Sequence, residues 1–415
     1  MNLMKIGISK LFFCISVLFL FVPELRSQGN DAHYERVSLC QFMVSYPQKV
    51  YFRELEHEYK SIPVSNNINN HNLGVNFIKF ASEDLSARDR IDHFLADAQV
   101  AKKLVAKWFS RNKKTGVFDM SLIRQRGYYN ATMTDVRLAK GMARGDAFIS
   151  DGGERLLNYT FVAIHDFVPI ETEFTKSYSF NNPVDVTDDD VINLNDSATL
   201  SKYNSQFHSR ERLRNSYEIK CATYLYRLVW NKETADKFYS AMYSEVPDVQ
   251  KLNVFNADTS TFRLVYVGCS EQVYKLERDK RIKSNEELAK TSMARIMDMN
   301  LASLQDICPD FRVKASLLCD GRKLRAEIGL KENVCEKDVF EVLERTEDEQ
   351  GIIRYNVIGL VKPAKGKIWD NRFNAYDSSG KDGKGLTYTQ FDKISGGDFY
   401  DGLLIRKKSG VIQNE

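Results

Sequence analysis

The stretch "SYEIKCATYLYRLVWN", residues 216–231, limits the fold more than any other part of the chain. Read as a strand, it carries Tyr, Leu, Val, Cys and Trp on both faces of the pleat, so its middle needs cover on two sides. Two further apolar runs, "TFVAIHDF" (160–167) and "TFRLVYVGC" (261–269), read as strands of the same sheet. Helical spacing supplies the cover. Between Ser86 and Phe109, Ile91, Leu95, Val105, Trp108 and Phe109 fall mainly on one side of one predicted helix. After Ser284, a capping box with Glu287 opens a helix lined by Leu288, Met293, Ile296, Leu304 and Ile307. Met293, Met297 and Met299 are core filler on this reading. A shorter helix covers 232–244, and residues 132–147 form another, with a small-residue stripe interrupted by Gly141 and Gly145. The predicted class is α+β, a mixed sheet covered by helices.

From Leu324 the rhythm changes to short strands. Leu324, Ala326 and Ile328 alternate with charged residues, "FEVLE" follows, and "IIRYNVIGLV" returns after the polar loop "TEDEQG". Strands this short need closure or packing, which predicts a small barrel-like module. Gly329, Gly351 and Gly359 stand at its turns and bends, with a positive φ expected at Gly329. The carboxylates Glu327, Glu332, Glu336, Asp338, Glu341 and Glu344, dispersed among Lys and Arg, read as a solvated exterior. In the following tail, Trp369, Tyr376, Phe399 and Tyr400 lie near glycines and form a candidate interaction surface, with packing onto the barrel as the alternative.

The first residues address the chain. Lys5 and Lys10 precede the uncharged run "LFFCISVLFLFVP", followed by polar residues, the pattern of a secretory signal peptide. Pro23 interrupts the run short of the roughly 20 residues a spanning helix needs. Cleavage after Ser27 removes Lys5, Lys10, Arg26 and Glu24, so the 59 basic and 56 acidic groups become 56 and 55, a net of +1. That balance offers no electrostatic reason for a nucleic-acid or anionic-lipid partner, and the mature chain is expected to be water-soluble without a membrane span. Six cysteines remain: Cys40, Cys221, Cys269, Cys308, Cys319 and Cys335. Export permits disulfides, and the nearest pair, Cys308 and Cys319, is the candidate bridge. The absence of any CxxC argues against a zinc ribbon or a thioredoxin-type centre.

The predicted organisation is therefore a signal peptide at 1–27, a β-containing lead with an Asn-rich connector at 28–74, and an α+β domain at 75–307 interrupted by a polar loop at 171–214. A β-barrel-like module at 308–362 and an extension at 363–415 packed on it complete the chain.

No motif names a reaction. His165 and Asp166 end a strand, where catalytic groups do occur, but neighbours on a strand point to opposite faces and cannot act as a base and its orienter. No GxSxG accompanies them. His208 lies in the polar loop, and His71, in the Asn-rich connector, reads as a solvent residue. Asp188, Asp189 and Asp190 lack the ligand pattern of a calcium loop, and "GKDGKG" is not followed by the Ser or Thr of a phosphate loop. The sequons at Asn130, Asn158 and Asn195 are as many as an Asn-rich chain produces by chance. No metal site and no cofactor is implied.

The segment "AEIGLKENVCEKDVFEVLE" resembles the small C-terminal β module of periplasmic assembly proteins of the flagellar assembly protein T type. More widely, "AKKLVAKWFSRNKKTGVFDMSLIRQRGYYNAT", "ERLLNYTFVAIHDF", "ATYLYRLVWN", "GKIWDNRF" and "ISGGDFYDGLLIRKK" resemble a family of exported proteins from Gram-negative gut and oral bacteria with no assigned activity. The resemblance implies a location in the periplasm or at the outer-membrane periphery, and a structural or binding role with an envelope protein as partner. It carries no catalytic residues over. The competing readings are a secreted hydrolase around His165, Asp166 or His208, and a peptide- or glycan-binding module that uses its aromatic residues.

Overall fold

The structure is a computed structural model and describes residues 34–49, 52–74, 76–80, 85–130, 153–170, 215–278, 282, 284–321, 323–347, 353–375 and 385–408. The signal segment, the polar loop with His208 and Asp188–Asp190, the helix expected at 132–147, Gly351, Tyr376 and most of "GKDGKG" lie outside them.

One layer is a six-stranded mixed sheet. Its strands are β2 (Val37–Ser45), β3 (Ile68–Asn70), β4 (Phe77–Lys79), β5 (Thr160–Pro169), β6 (Ser216–Leu228) and β7 (Leu264–Glu277). The order is β3-β2-β5-β6-β7, with β4 also on β2. β2 runs parallel to β3, β4 and β5, and β5, β6 and β7 are antiparallel. The three long strands are those expected, and both faces of β6 are covered as its composition requires. β2 is the surprise. Residues 37–45 belong to the segment read as a lead, yet they form a fully buried interior strand, between β3 and β4 on one side and β5 on the other.

Helices α1 (Phe52–Ser61), α2 (Ala87–Asp97), α3 (Val100–Trp108), α4 (Ser121–Asn130), α5 (Lys232–Ala241), α6 (Val249–Ala257) and α7 (Asn285–Ile307) are described. On one face α1 and α7 bring Phe52, Leu55, Leu288, Met293 and Ile296 onto Phe167, Ile219 and Cys221. On the other, Ile91, Leu95 and Leu104 of α2 and α3 cover Val162, Ile164 and Tyr226. Ser284 caps α7 by accepting from the Glu287 N–H at 3.1 Å, as the capping box predicts.

The single helix expected over 86–109 is two. Gln99 takes a left-handed conformation (φ 48°) and separates α2 from α3. The break lets α3 serve two cores: Val100 and Leu104 face the sheet, while Ala101, Val105 and Trp108 join an aromatic cluster with Phe118, Trp230, Phe238 and Phe255. No periodicity within 86–109 encodes that second demand.

The other layer is an eight-stranded antiparallel, barrel-like sheet. Its strands are β1 (Tyr34–Glu35), β8 (Lys314–Ser316), β9 (Leu318–Asp320), β10 (Lys323–Ala326), β11 (Phe340–Glu347), β12 (Ile353–Pro363), β13 (Thr389–Gly396) and β14 (Leu404–Lys407). The order is β1-β8-β14-β11-β12-β13-β10-β9. Leu324, Ala326 and Ile328 point inward with Phe340, Val342, Val361, Phe391 and Ile405, as their alternation predicts. β13 and β14 come from the tail read as an extension, so residues 363–415 supply strands to this sheet. No described helix is long and apolar enough to cross a membrane.

Two local expectations are corrected. Gly329 is extended (φ −162°), not left-handed. Glycine is required there because the backbone of Trp369 passes directly over it: the Leu330 N–H donates to the Trp369 carbonyl at 3.0 Å, and a Cβ on residue 329 would overlap that carbonyl oxygen. Glu332 is not part of a solvated exterior. Its carboxylate accepts from Asn67 Nδ2 (2.8 Å), Asn371 Nδ2 (2.7 Å) and the Gly329 N–H (2.8 Å), knotting three segments together.

Candidate functional site

The His165–Asp166 pair, expected at the end of its strand, lies within β5, which runs on to Pro169, and occupies two unlike environments. Odd-numbered residues of β5 face α7, and even-numbered ones face α2 and α3. His165 and Asp166 are therefore separated by the sheet itself, as the pleat requires.

On the α7 side, His165 is fully buried in a polar row that crosses four strands. Its Nε2 lies 3.1 Å from Gln41 Oε1 on β2, and its Nδ1 lies 2.9 Å from Thr223 Oγ1 on β6. Asn300 of α7 donates through Nδ2 to Thr223 Oγ1 and to the Cys221 carbonyl, both at 3.0 Å, and its Oδ1 accepts from Ser270 Oγ on β7 at 2.9 Å. The acceptor at Gln41 puts the imidazole proton on Nε2, leaving Nδ1 to accept from Thr223. Burial drives the His165 pKa down to about 3, so the ring is neutral near pH 7. The same burial raises the Cys221 thiol, which stays protonated. The ring of His165, the Thr223 hydroxyl and the Asn300 amide are each bonded within the row, which reads as a register lock between α7 and the sheet.

On the opposite face, Asp166 sits near the C-terminal ends of the parallel strands β2 and β5. The Tyr46 hydroxyl lies 3.0 Å from both carboxylate oxygens. Burial raises the Asp166 pKa, against the lowering effect of the Tyr46 hydroxyl, Arg90 and Lys49. Tyr46, Tyr224 and Cys269 are raised as well, each first by burial. A protonated tyrosine, a protonated thiol and a shielded carboxylate make a polar patch without an activated nucleophile.

A cleft of about 350 Å³ opens on the same side, between α2, the start of α3 and residues 258–266. Among its charged groups, Asp92, Arg88 and Lys102 are already engaged. Tyr226 donates to Asp92 at 2.6 Å, and the Arg88 guanidinium lies 4.0 Å from the centre of the Tyr266 ring. Lys102 Nζ donates to the Asp258 and Asn256 carbonyls at 2.7 and 3.0 Å and to Gln99 Oε1 at 3.2 Å. The left-handed turn at Gln99 positions that last acceptor. The Arg88 guanidinium thus occupies one face of Tyr266.

A third centre was not legible in the sequence. Arg126 of α4 is 6% exposed and has no carboxylate partner among the described residues. It donates to Ser38 Oγ (2.9 Å) and the Asn70 carbonyl (3.0 Å), contacts His71 Nδ1 at 2.8 Å, and stacks 4.3 Å over Trp108. Burial lowers its pKa to about 10. His71 is the correction: expected in solvent, it is fully buried, bonded to the Leu104 carbonyl at 3.0 Å and held neutral by burial and by Arg126. Neither residue sits in a sequence pattern that announces the other.

Three of the four aromatics of the candidate interaction surface lie among the described residues, each in its own environment. Trp369 is half-buried against Gly329, and its backbone N–H donates to Thr389 Oγ1 at 3.0 Å. Phe399 packs on the barrel-like core under Lys393, and only Tyr400 is well exposed (51%), with its hydroxyl on Glu344 at 2.6 Å. Tyr376 lies outside the described residues. Cys308 and Cys319 are free thiols: Cys308 is buried beside Phe161 and Phe311 at the end of α7, and Cys319 lies on the edge strand β9. The sequon residue Asn158 uses its carbonyl to accept from Arg227 Nε at 2.8 Å.

No protein-family model matches the chain, and no curated protein matches it.

Proposed function

We propose that the protein is a non-catalytic, exported component of the cell envelope, in the periplasm or at the outer-membrane periphery, which works by binding an envelope protein. The address rests on the basic start, the short apolar run and the polar exit of residues 1–27. One observation carries the non-catalytic reading: both ring nitrogens of fully buried His165 are taken up within the polar row, on the opposite face from Asp166. A base in that state has neither a proton acceptor site nor a path to substrate.

In-cell crosslinking followed by pulldown tests the reading, with a specific envelope protein as the expected partner. The His165→Ala, Asp166→Ala double variant separates it from the hydrolase alternative. The cellular role should persist wherever the variant folds; its loss with an unchanged melting curve would favour an enzyme.

A further inference from the structure

β7 is an open edge. It pairs with β6 along one side, with a bulge at Val267, and among the described residues nothing pairs with the other. The hydrogen-bond phase of that free edge follows from the ladder. The Arg278 N–H donates to the Asn215 carbonyl, in line with the register Glu277↔Ser216 and Leu276↔Tyr217. Antiparallel strands alternate the direction of their backbone groups, so even-numbered residues from 270 to 278 bond to β6. Cys269, Glu271, Val273, Lys275 and Glu277 therefore aim their N–H and C=O groups outward. The last four are also exposed, Val273 at 51%.

An edge of this length is ordinarily blunted by scattered charge. Here the charges have a symmetry instead. A second copy laid antiparallel about a two-fold axis at Val273 places Val273 against Val273 of the other copy, and each Glu271 against a Lys275. All of these are outward-pointing residues, so the backbone bonds form in the same register. An axis at Glu271 or Lys275 sets like charges opposite one another, and an axis at Tyr274 puts Glu271 against Glu277. Lys275 has no ion pair within the described part of its own chain, whereas Glu271 is 2.8 Å from Lys220.

We propose that the protein self-associates through β7, antiparallel and centred on Val273, joining two six-stranded sheets into one. This goes beyond the proposed envelope role and stands or falls separately from it, since it requires no other protein.

The test is the mass of the chain 28–415 in solution by light scattering, with folding checked by circular dichroism. Wild type should be a dimer. Lys275→Glu sets Glu against Glu, Glu271→Lys sets Lys against Lys, and each alone should halve the mass. An equimolar mixture of the two variants restores both opposite-charge pairs and should return to the dimer mass. A monomeric wild type, or a mixture of folded variants that stays monomeric, overturns the proposal. Should either charge variant fail to fold, Val273→Cys decides: self-opposed cysteines should form an interchain disulfide under oxidation, as Cα atoms about 5.5 Å apart allow. Lys275→Cys, opposite Glu271, should not, and equal crosslinking of the two also overturns the proposal.

Discussion

His165 Nδ1 lies 2.9 Å from Thr223 Oγ1, and that same oxygen accepts from Asn300 Nδ2 at 3.0 Å, so one hydroxyl joins β5, β6 and α7. Thr223→Val keeps the shape and removes the oxygen. The imidazole then loses its donor inside a buried interface, while Asn300 keeps the Cys221 carbonyl. Leaving a buried polar atom unsatisfied costs about 1–3 kcal/mol. Urea denaturation should show a loss in that range with the slope unchanged; a loss under about 0.5 kcal/mol, the size of an ordinary surface change, would mean the row is not a lock.

His165 also predicts a pH dependence. Its folded pKa is depressed to about 3, against an ordinary value near 6.5, so between those values the unfolded chain binds a proton that the native one does not. Stability is highest above the ordinary value and falls as pH drops, approaching about 1.4 kcal/mol per pH unit for one such histidine. His71, lowered by burial and by Arg126, acts in the same direction. His165→Gln should flatten the dependence of unfolding free energy on pH between 6 and 4 relative to wild type. Parallel curves would show that the ring is not held neutral.

Asp298 of α7 predicts the opposite sign. Burial and the nearby Glu332 outweigh Lys331 and Arg295 and raise its pKa to about 7. The native state keeps a proton that the unfolded chain releases near 3.8, so this contribution is complete at low pH and is lost as pH rises through about 7. Asp298→Asn, always neutral, should gain melting temperature relative to wild type on going from pH 4 to pH 8. No gain, or a loss at pH 8, would mean that the 3.8 Å pair with Lys331 dominates.

Gly329 and Gly397 make a matched pair. A Cβ at 329 meets the Trp369 backbone, whereas one at 397 meets nothing within 4 Å. Gly329→Ala should cost about 1–3 kcal/mol, as overpacking against an unyielding neighbour does. Gly397→Ala should stay within about 0.5 kcal/mol, the usual surface range. Equal effects in thermal melts would refute the close-approach account.

Local pattern determined much of this protein. The two-faced composition of residues 216–228 required a covered strand, the alternation of Leu324, Ala326 and Ile328 set an inward face, and the Ser284–Glu287 pair started α7 where it begins. Each of these signals lies within a few residues of chain, and propensity, pleat and capping act at that range. The separation of His165 from Asp166 was legible for the same reason. Only the tertiary structure decided the rest, because the partners come from far away in sequence. Residues 37–45 become an interior strand through parallel pairing with residues 160–165, which no local feature encodes. His71 leaves solvent because Arg126 and Trp108 close over it, and Glu332 is sequestered because Asn67 reaches it across 265 positions. Gly329 is glycine not for its own φ but for a backbone that arrives 40 residues later, at Trp369. In each case the free energy lies in desolvation and contact between distant segments, which a reading of neighbours along the chain does not contain.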